Sequence, residues 1–484
     1  MNTAQRIIKN TLSLLCSGVI SQLFGFVAVI YLARVLGPDS FGKINFAMAF
    51  LAFVSLLANL GMPLWATKEI AADQSKISSI TANIVSLRLV LSVVGFIVLI
   101  GISLVLNKSS DINALLLLYG LGLFPMALYL DWVFQGIEKM EIIGVGRIVT
   151  ALANIGLILL LVRGPQQLLW IPVINALAGL LGAILLLIVF KRLRGGFELR
   201  IDLQPCRTII KQSLPLGISM VLIQIIYYLD TILLGFMRSN AEVGMYNAAY
   251  KIVLFVIMAG AFYFDAIFPV IAQYYKTSHS AIHKLLSYSA RLVAVLVVPM
   301  GIGCTLLARP ILHLFYGERY EHSAIALQIL IWVAVLIYFN MIYARAMWAC
   351  NQQKAYVKIV AGQALLNVVM NVICIPLLGI TGAALSKVAA EMAGLYFYYR
   401  EFSKIIRVPF MPYIGRPLLA SLPMTLFLLA GQYFVTLNIF ILAPGGLIIY
   451  CVSLYLCRGV TRQDALFLRD TFFKSAFNST GRKQ

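Results

Sequence analysis

Residues 7–53 reappear without a gap as residues 209–255, 202 positions later in the same chain. Fourteen of the 47 aligned positions are identical. Apolar identities can arise from shared composition, but polar and glycine identities at one constant spacing are hard to obtain by chance. The most informative of these are the pairs Gln22/Gln224, Gly42/Gly244 and Asn45/Asn247. The repeat therefore predicts two structurally equivalent halves.

The hydropathy of the chain excludes a soluble globular protein. Of its 484 residues, 61% are hydrophobic and only 12% are charged, with a mean hydropathy of +0.93. An apolar helix of about 20 residues crosses the hydrocarbon layer. Fourteen such windows occur, at residues 11–36, 44–65, 84–106, 112–135, 142–162, 168–190, 214–237, 250–272, 287–308, 325–348, 357–377, 380–399, 415–436 and 438–457. Membrane β-strands are about half as long and alternate in polarity, so the chain is predicted to be an all-α integral membrane protein with about fourteen transmembrane helices.

The repeat also predicts the domain organisation. Because its offset covers six predicted helices, equivalent helices run in the same direction, and an axis along the membrane normal relates the two halves. The longest polar stretch, at residues 191–213, lies between the sixth and seventh spans. We therefore expect a six-helix lobe at 1–195, a parallel-related six-helix lobe at 196–410, and two additional helices with a tail at 411–484.

The distribution of positive charge predicts the orientation. Of the 38 Lys and Arg residues, 29 fall on the side of the N-terminus, 8 fall on the opposite side, and Lys387 lies inside a span. Positively charged loops stay on the cytoplasmic side, so both termini are predicted to be cytoplasmic. The net charge of +20 is then explained by these loops and anionic lipid headgroups rather than by nucleic acid.

Signatures of enzymes, cofactors and metals are absent from the sequence. The chain has no Walker A motif, and its seven cysteines are scattered without a C-x-x-C pair. His279 and His283 have metal-ligand spacing, but no acidic third ligand stands nearby. The first span lacks a small-residue cleavage site and is expected to be retained as a helix. We therefore predict a protein without catalytic activity, cofactor or metal.

Five short stretches resemble the polysaccharide transporter branch of the multidrug/oligosaccharidyl-lipid/polysaccharide exporter superfamily, which includes O-antigen flippases. They are ARVLGPDSFG at 33–42, ATKEIA at 66–71, DWVFQGIEKM at 131–140, VGMYNAA at 243–249 and PLLGITGAA at 376–384. The similarity covers roughly residues 7–400. Family sequences commonly have Arg where Lys68 stands, which keeps the charge. The resemblance implies a two-lobed alternating-access carrier for a lipid-linked oligosaccharide.

Ionisable side chains within apolar spans are costly and are the first candidates for ion coupling. Asp230 and Asp265 lie in predicted helices seven and eight, and each could bind H⁺ or Na⁺ or make a polar contact between helices. Lys387 and Glu391 are four residues apart, which suits either a packed ion pair or an ion site. Glu69, beside Lys68 at the end of helix two, is a further candidate.

Substrate binding is predicted at cations and carboxamides. Arg88, Arg147, Arg291 and Arg345 lie near the cytoplasmic ends of four predicted helices. Each can extend to lipid headgroups, but the planar guanidinium also matches a diphosphate, and Arg291 is our first choice. A second group recurs every four residues on one helix face, which suits either helix-to-helix hydrogen bonds or contacts with sugar hydroxyls. It consists of Gln363, Asn367 and Asn371.

The resemblance, taken with these features, implies a flippase in a bacterial inner membrane that moves an undecaprenyl-diphosphate-linked oligosaccharide from the inner to the outer leaflet. One alternative is a drug exporter of the same superfamily driven by Na⁺ or H⁺. Another is a membrane polysaccharide polymerase or ligase, which should carry a large extracytoplasmic loop with catalytic groups. Expected partners are the lipid-linked substrate, membrane lipids, H⁺ or Na⁺, and a polysaccharide polymerase, but no nucleic acid.

Overall fold

The structure, a computed structural model, describes residues 3–200, 202–433 and 437–459. Across these ranges every regular element is helical. The helices are α1 (Thr3–Asn59), α2 (Met62–Ala72), α3 (Ile77–Val105), α4 (Ser110–Gly120), α5 (Leu123–Leu128), α6 (Asp131–Gly136), α7 (Met140–Leu161), α8 (Trp170–Arg194), α9 (Leu203–Met237), α10 (Asn240–Thr277), α11 (His279–Leu306), α12 (Ala308–Tyr316), α13 (Ala324–Ala349), α14 (Gln353–Leu378), α15 (Ile380–Phe402), α16 (Met411–Tyr433) and α17 (Ile439–Leu456). Three short 3₁₀ helices lie at Gln74–Lys76, Pro165–Gln167 and Glu318–Ser323.

The chain is a multi-pass membrane protein, as predicted, but the count of fourteen helices is not confirmed. Twelve described segments are long and apolar enough to cross a membrane. One of them, at Ser13–Ala72, covers the second predicted span and nearly all of the first, and α15 is not among the twelve. The fourth predicted span is one apolar run in sequence, but its backbone is divided into α4, α5 and α6.

The break between the first two crossings, both within α1, is confined to a single residue. Gly37 adopts φ 75° and ψ 172°, and helical geometry resumes at Pro38 within α1. A positive φ is accessible to glycine without strain, and proline is tolerated in a first helical turn because its missing N–H would have no partner there. The Gly-Pro pair therefore interrupts α1 after one crossing without a long loop.

Many large apolar side chains point outward instead of into a core. Leu104 and Val105 are 81% and 84% exposed, and they lie on α3 within an apolar span. Such side chains pack against lipid tails, whereas the backbone N–H and C=O groups of the span form hydrogen bonds within the helix. Helix packing accordingly depends on close contacts and polar bonds between helices more than on removal of apolar surface from water.

The chain divides into two compact units, Met1–Asn247 and Ala248–Gln484. In the first unit, the largest buried side chains of one core cluster are Trp132, Phe134 and Phe190. This cluster joins α2, α3, α6, α7, α8 and α9. The three-part division at residues 195 and 410 follows from the repeat in sequence, and it stays a prediction.

In the second unit, the two helices beyond the duplication pack against α11. Met424 and Leu428 of α16 share a buried cluster with Leu442 and Tyr450 of α17. The Tyr450 hydroxyl donates to the Val295 carbonyl of α11 at 2.7 Å. These contacts attach α16 and α17 to the body of the second unit.

Candidate functional site

The repeat-equivalent glycines Gly42 and Gly244 meet backbone to backbone. A methyl group added at Gly42 would overlap the Asn240 carbonyl and lie 2.9 Å from the Gly244 nitrogen. One added at Gly244 would overlap the Pro38 carbonyl and lie 3.1 Å from the Gly42 nitrogen. Pro38 and Asn240 are themselves 202 positions apart, so the contact is symmetric under the repeat. It explains why glycine occurs at both positions.

A second identity of the repeat is also structural. Asn45 donates to the Phe41 carbonyl at 2.7 Å, and Asn247 donates to the Val243 carbonyl at 2.9 Å. Each amide thus bonds to the carbonyl four residues earlier in its own helix, and both residues are buried. Because a buried amide needs such partners, these two asparagines are accounted for by packing.

Next to this contact, aromatic rings surround a lysine from the loop between α3 and α4. Lys108 Nζ donates to the Gly235 carbonyl at 2.7 Å and lies 5.9 Å and 5.8 Å from the ring centroids of Phe46 and Phe236. An ammonium group that bonds a carbonyl near a helix C-terminus is favoured by the helix dipole. The end of α9 is therefore held against α1 by a charge and by packed rings.

Arg88, a predicted substrate ligand, is buried in the first unit with only 3% of its surface exposed. Its Nη2 donates to Asn59 Oδ1 at 2.8 Å and to the Met126 carbonyl at 2.5 Å. Its Nη1 donates to the Tyr129 carbonyl at 3.4 Å. These acceptors lie where α1 and α5 end, so Arg88 satisfies backbone and side-chain groups that the helix breaks expose.

Arg88 lines a cavity of about 540 Å³. Asp131 at the start of α6 lines it too, and its carboxylate lies within electrostatic reach of Arg88 and Arg147. A carboxylate buried in a membrane protein is stable when such cations compensate its charge. The structure therefore brings Arg88 and Arg147 to one acidic residue that is absent from the site residues predicted from sequence.

In the second unit, two residues predicted for different roles form one ion pair. Arg345 Nη2 lies 2.6 Å from Asp265 Oδ1, joining α13 to α10. Their side chains are 39% and 58% exposed, although both helices belong to apolar spans. Charged side chains on a membrane span avoid the hydrocarbon, so this exposed pair faces water or polar headgroups rather than lipid tails.

Arg291, the first choice for a phosphate ligand, is half-buried on α11. Its guanidinium carbon lies 5.4 Å from the ring centroid of Tyr413 on α16 and 5.9 Å from that of Tyr288. Stacking on aromatic rings holds the planar guanidinium in one orientation.

Glu391 lies in a buried polar cluster of the second unit. Its Oε2 accepts from Asn340 Nδ2 at 2.7 Å and from Gln363 Nε2 at 3.3 Å. The ammonium group of Lys387, one turn earlier on α15, lies 4.5 Å from the ring centroid of Tyr250. Both charged residues are buried, so their charges are stabilised by amides and by an aromatic face.

The carboxamides predicted to share a face of α14 are all buried. Gln363 also donates to the Ala390 carbonyl of α15 at 3.4 Å, which is a helix-to-helix contact. Asn371 Nδ2 donates to the Asn367 carbonyl at 2.9 Å. Among the described residues, neither side-chain atom of Asn367 has a hydrogen-bond partner. A fully buried amide without partners is costly, so Asn367 needs a ligand, an ion or a water molecule.

The remaining predicted acidic residues differ in environment. Asp230 is fully buried on α9 and accepts from the Tyr246 hydroxyl at 3.0 Å. Glu69 is half-buried near the end of α2, beside exposed Lys68. In the following loop, the Ser75 hydroxyl and N–H lower the pKa of Asp73 to about 2. Asp73 therefore stays ionised at physiological pH.

Sequence reasoning missed the residues that make the cavity of the first unit. Asn59, Asp131, Asn175 and Gln224 line it, but they lie on four different helices. Two signals are present in the sequence. The Gly-Met-Pro run after Leu60 interrupts an apolar span, and Asp131 places a charge inside another.

Comparison with protein families gives two matches. A model described as "Polysaccharide biosynthesis protein" matches residues 7–275, and the MatE model matches residues 215–373. The chain is 25% identical to the "Putative O-antigen transporter" of Escherichia coli (strain K12), over 75% of this chain and 88% of that relative. It is 24% identical to the protein of the same name from Shigella dysenteriae, over 66% of this chain and 80% of that relative.

Among solved structures, the chain is similar to "Lipid II flippase MurJ, inward closed conformation". The TM-score is 0.72 at 14% identity, with 96% of this chain and 99% of that chain covered. At this identity the similarity establishes the transporter fold, which agrees with the predicted all-helical membrane architecture.

Proposed function

Because the chain belongs to the polysaccharide biosynthesis protein family, we propose that it is a flippase for an undecaprenyl-diphosphate-linked oligosaccharide, such as an O-antigen repeat unit. It would carry this substrate from the inner to the outer leaflet of the bacterial inner membrane by alternating access. The moving bodies would be the lobes at 1–195 and 196–410, with 411–484 attached to the second. The names of the two O-antigen transporter relatives support the substrate class.

The observation that carries this proposal is the exposed pair of Arg345 and Asp265 on apolar spans. Exposed charge on a membrane span requires water or a polar group beside it, and the polar group can be the substrate. A guanidinium in such a place can receive a diphosphate through two parallel hydrogen bonds. Arg291, held by Tyr413, would supply a second fork, and Arg88 and Arg147 in the first unit would act on another part of the substrate.

The pairing of Arg345 with Asp265 also offers a means of coupling. The Asp265 carboxylate and the substrate diphosphate are two anions that compete for one guanidinium. Protonation of Asp265, or a Na⁺ ion bound there, would release Arg345 to the diphosphate. The same ion would then favour the loaded state of the carrier.

Other acidic groups are proposed as coupling sites for H⁺ or Na⁺. Asp230 and Glu391 are buried, and each accepts a hydrogen bond from a neutral donor on another helix. A change in charge at either carboxyl would therefore alter a contact between helices. Lys387 would balance Glu391, and Glu69 is a further candidate near the membrane surface. The face bearing Gln363, Asn367 and Asn371 is proposed to contact the glycan when the carrier opens.

The contact between Gly42 and Gly244 is proposed to close the carrier on the side opposite the N-terminus. It lies after one membrane crossing of α1, where the chain has reached that side. Since backbone meets backbone without side chains, the surfaces can separate and re-form without unfolding a helix.

A deletion strain tests the substrate class. Loss of the protein should abolish the surface glycan and leave a lipid-linked oligosaccharide accumulating on the cytoplasmic side. The drug-exporter alternative predicts sensitivity to cationic dyes with normal surface glycan. A polymerase or ligase would leave lipid-linked units that have already reached the outer leaflet.

The proposed orientation is tested separately with reporter fusions. A reporter placed after Gly37 or Arg319 should read outside, and one after Arg194 or Lys404 should read inside, because of the charge bias. A cytoplasmic signal at Arg319 would contradict the orientation.

A further inference from the structure

The cavity of the first unit lies between two breaks in membrane helices. The first break separates α1 from α2, where Leu60 and Gly61 have positive φ values of 43° and 74°. The second separates α5 from α6 at Tyr129 and Leu130. Non-helical backbone within a membrane is tolerated where it lines a polar cavity, and interrupted helices commonly form transporter binding sites.

A buried charge lines the cavity and connects its two helix breaks. Arg88 bonds Asn59 on one side of the cavity and the carbonyls of Met126 and Tyr129 on the other. It therefore positions the ends of α1 and α5, and most of its donors are already used. Its Nε is buried and has no partner among the described residues, so one donor is left for a ligand or water.

The chemistry of the lining selects among ligand classes. Asp131 would repel a diphosphate, and the hydrogen bonds that Arg88 already makes reduce its attraction for one. The hydroxyls of Ser55 and Thr150 donate to carbonyls of their own helices, so they can accept hydrogen bonds from a ligand. The amides of Asn175 and Gln224 can both donate and accept, because each amide nitrogen carries two hydrogens. Such mixed, directional bonding suits a ligand with several hydroxyl groups more than a drug with an apolar surface.

We infer that this cavity, between the two helix breaks of the first unit, binds a sugar ring of the transported glycan. The inference rests on the proposed function and adds to it a glycan site separate from the diphosphate cations Arg291 and Arg345. A cavity of about 540 Å³ is in the range of small-molecule sites and is large enough for one ring with its waters. Asn175 and Gln224 are specificity residues that contact the ring, and Arg88 is a positioning residue.

The structure supplies a matched control for the test. Asn154 Nδ2 donates to Asn175 Oδ1 at 2.5 Å, so replacement of either residue with Ala removes the same bond. Only Asn175 of this pair lines the cavity. Asn154→Ala therefore measures the structural cost of losing this bond, and Asn175→Ala measures that cost together with the loss of a ligand contact.

The experiment uses the full chain in lipid nanodiscs and two probes. One is the oligosaccharide released by mild acid from the lipid-linked pool of the host, whose binding is titrated by saturation-transfer NMR. The other is farnesyl diphosphate, which has the diphosphate but no sugar, titrated by calorimetry. Asn175→Ala and Gln224→Ala should each weaken oligosaccharide binding about tenfold, because a buried polar contact is lost. Asn154→Ala should bind it as the wild type does, and farnesyl diphosphate binding should be unchanged in all three.

Three results would overturn the inference. Equal losses in Asn154→Ala and Asn175→Ala would assign the effect to packing. Equal losses for both probes would make the cavity a diphosphate site. Wild-type oligosaccharide binding in both cavity variants would show that the sugar does not bind in this cavity, while leaving the proposed function intact. A wild-type protein that binds neither probe would count against the proposed function itself.

Discussion

Replacement of Gly42 with Ala should shift the carrier away from the conformation in which the two repeat segments touch. The added methyl group would overlap the Asn240 carbonyl and lie 2.8 Å from its carbon and 2.9 Å from the Gly244 nitrogen. These are backbone atoms in helices, so they cannot rotate aside as a side chain can. The contact must open or both helices must move.

The size of the shift follows from the cost of overpacking. One extra methyl group in a well-packed contact costs about 1 to 3 kcal/mol. Alanine also stabilises a helix relative to glycine by about 0.5 to 1 kcal/mol, but this gain applies to the open and closed states alike. The equilibrium between them should therefore move toward the open state by about 5- to 150-fold.

Gly25→Ala is the matched control for this prediction. Gly25 lies on the same helix, α1, and a methyl group added there meets nothing within 4 Å. This variant should show the helix stabilisation without a conformational shift. Gly244→Ala should behave like Gly42→Ala because the contact is reciprocal.

Pulsed electron paramagnetic resonance measures the outcome. Spin labels are placed at the repeat-equivalent positions Asp39 and Ala241, after replacement of the seven native cysteines. Gly42→Ala should add a longer distance to the distribution, and Gly25→Ala should match the parent. Identical distributions in both variants, with normal thermal stability, would refute the idea that this contact opens during transport.

Three further predictions concern the charged residues and the driving force. Asp265→Asn should free Arg345 and so tighten the binding of farnesyl diphosphate. The same variant should impair transport if Asp265 couples an ion. Unchanged binding together with unchanged surface glycan would reject both the competition for Arg345 and the coupling role. Arg291→Ala should impair flipping more than Arg291→Lys, because Lys keeps the charge beside Tyr413 but loses the bidentate fork, and equal wild-type activity in both would assign Arg291 to headgroup contacts. Finally, two negative charges leaving through a potential of about 150 mV would gain roughly 7 kcal/mol, at about 2.3 kcal/mol per charge per 100 mV, so a valinomycin-imposed potential should change outward flux in proteoliposomes. Flux that responds only to a proton or Na⁺ gradient would contradict this last prediction.

Hydropathy and the internal repeat are sufficient to determine the all-helical membrane architecture from the sequence alone. A lipid-solvated helix must be apolar along its whole length, so a crossing can be recognised in one continuous window of sequence. The pairs Gly42/Gly244 and Asn45/Asn247 mark equivalent positions because they recur at one constant spacing. The contact between Gly42 and Gly244 cannot be recognised in this way, because the two residues lie about 200 positions apart.

The tertiary structure decides which polar groups share a site. The sequence predicts separate roles for Arg345 and Asp265, but they form one pair across α13 and α10. The sequence predicts Arg88 as a substrate ligand from its charge alone. Its place in the cavity depends on Asn59 and on two helix breaks inside apolar runs. Spacing within one helix, as for Gln363 and Asn371, specifies a shared face, but it does not specify the helix that the face meets. That choice depends on the packing of many helices at once, which no local pattern encodes.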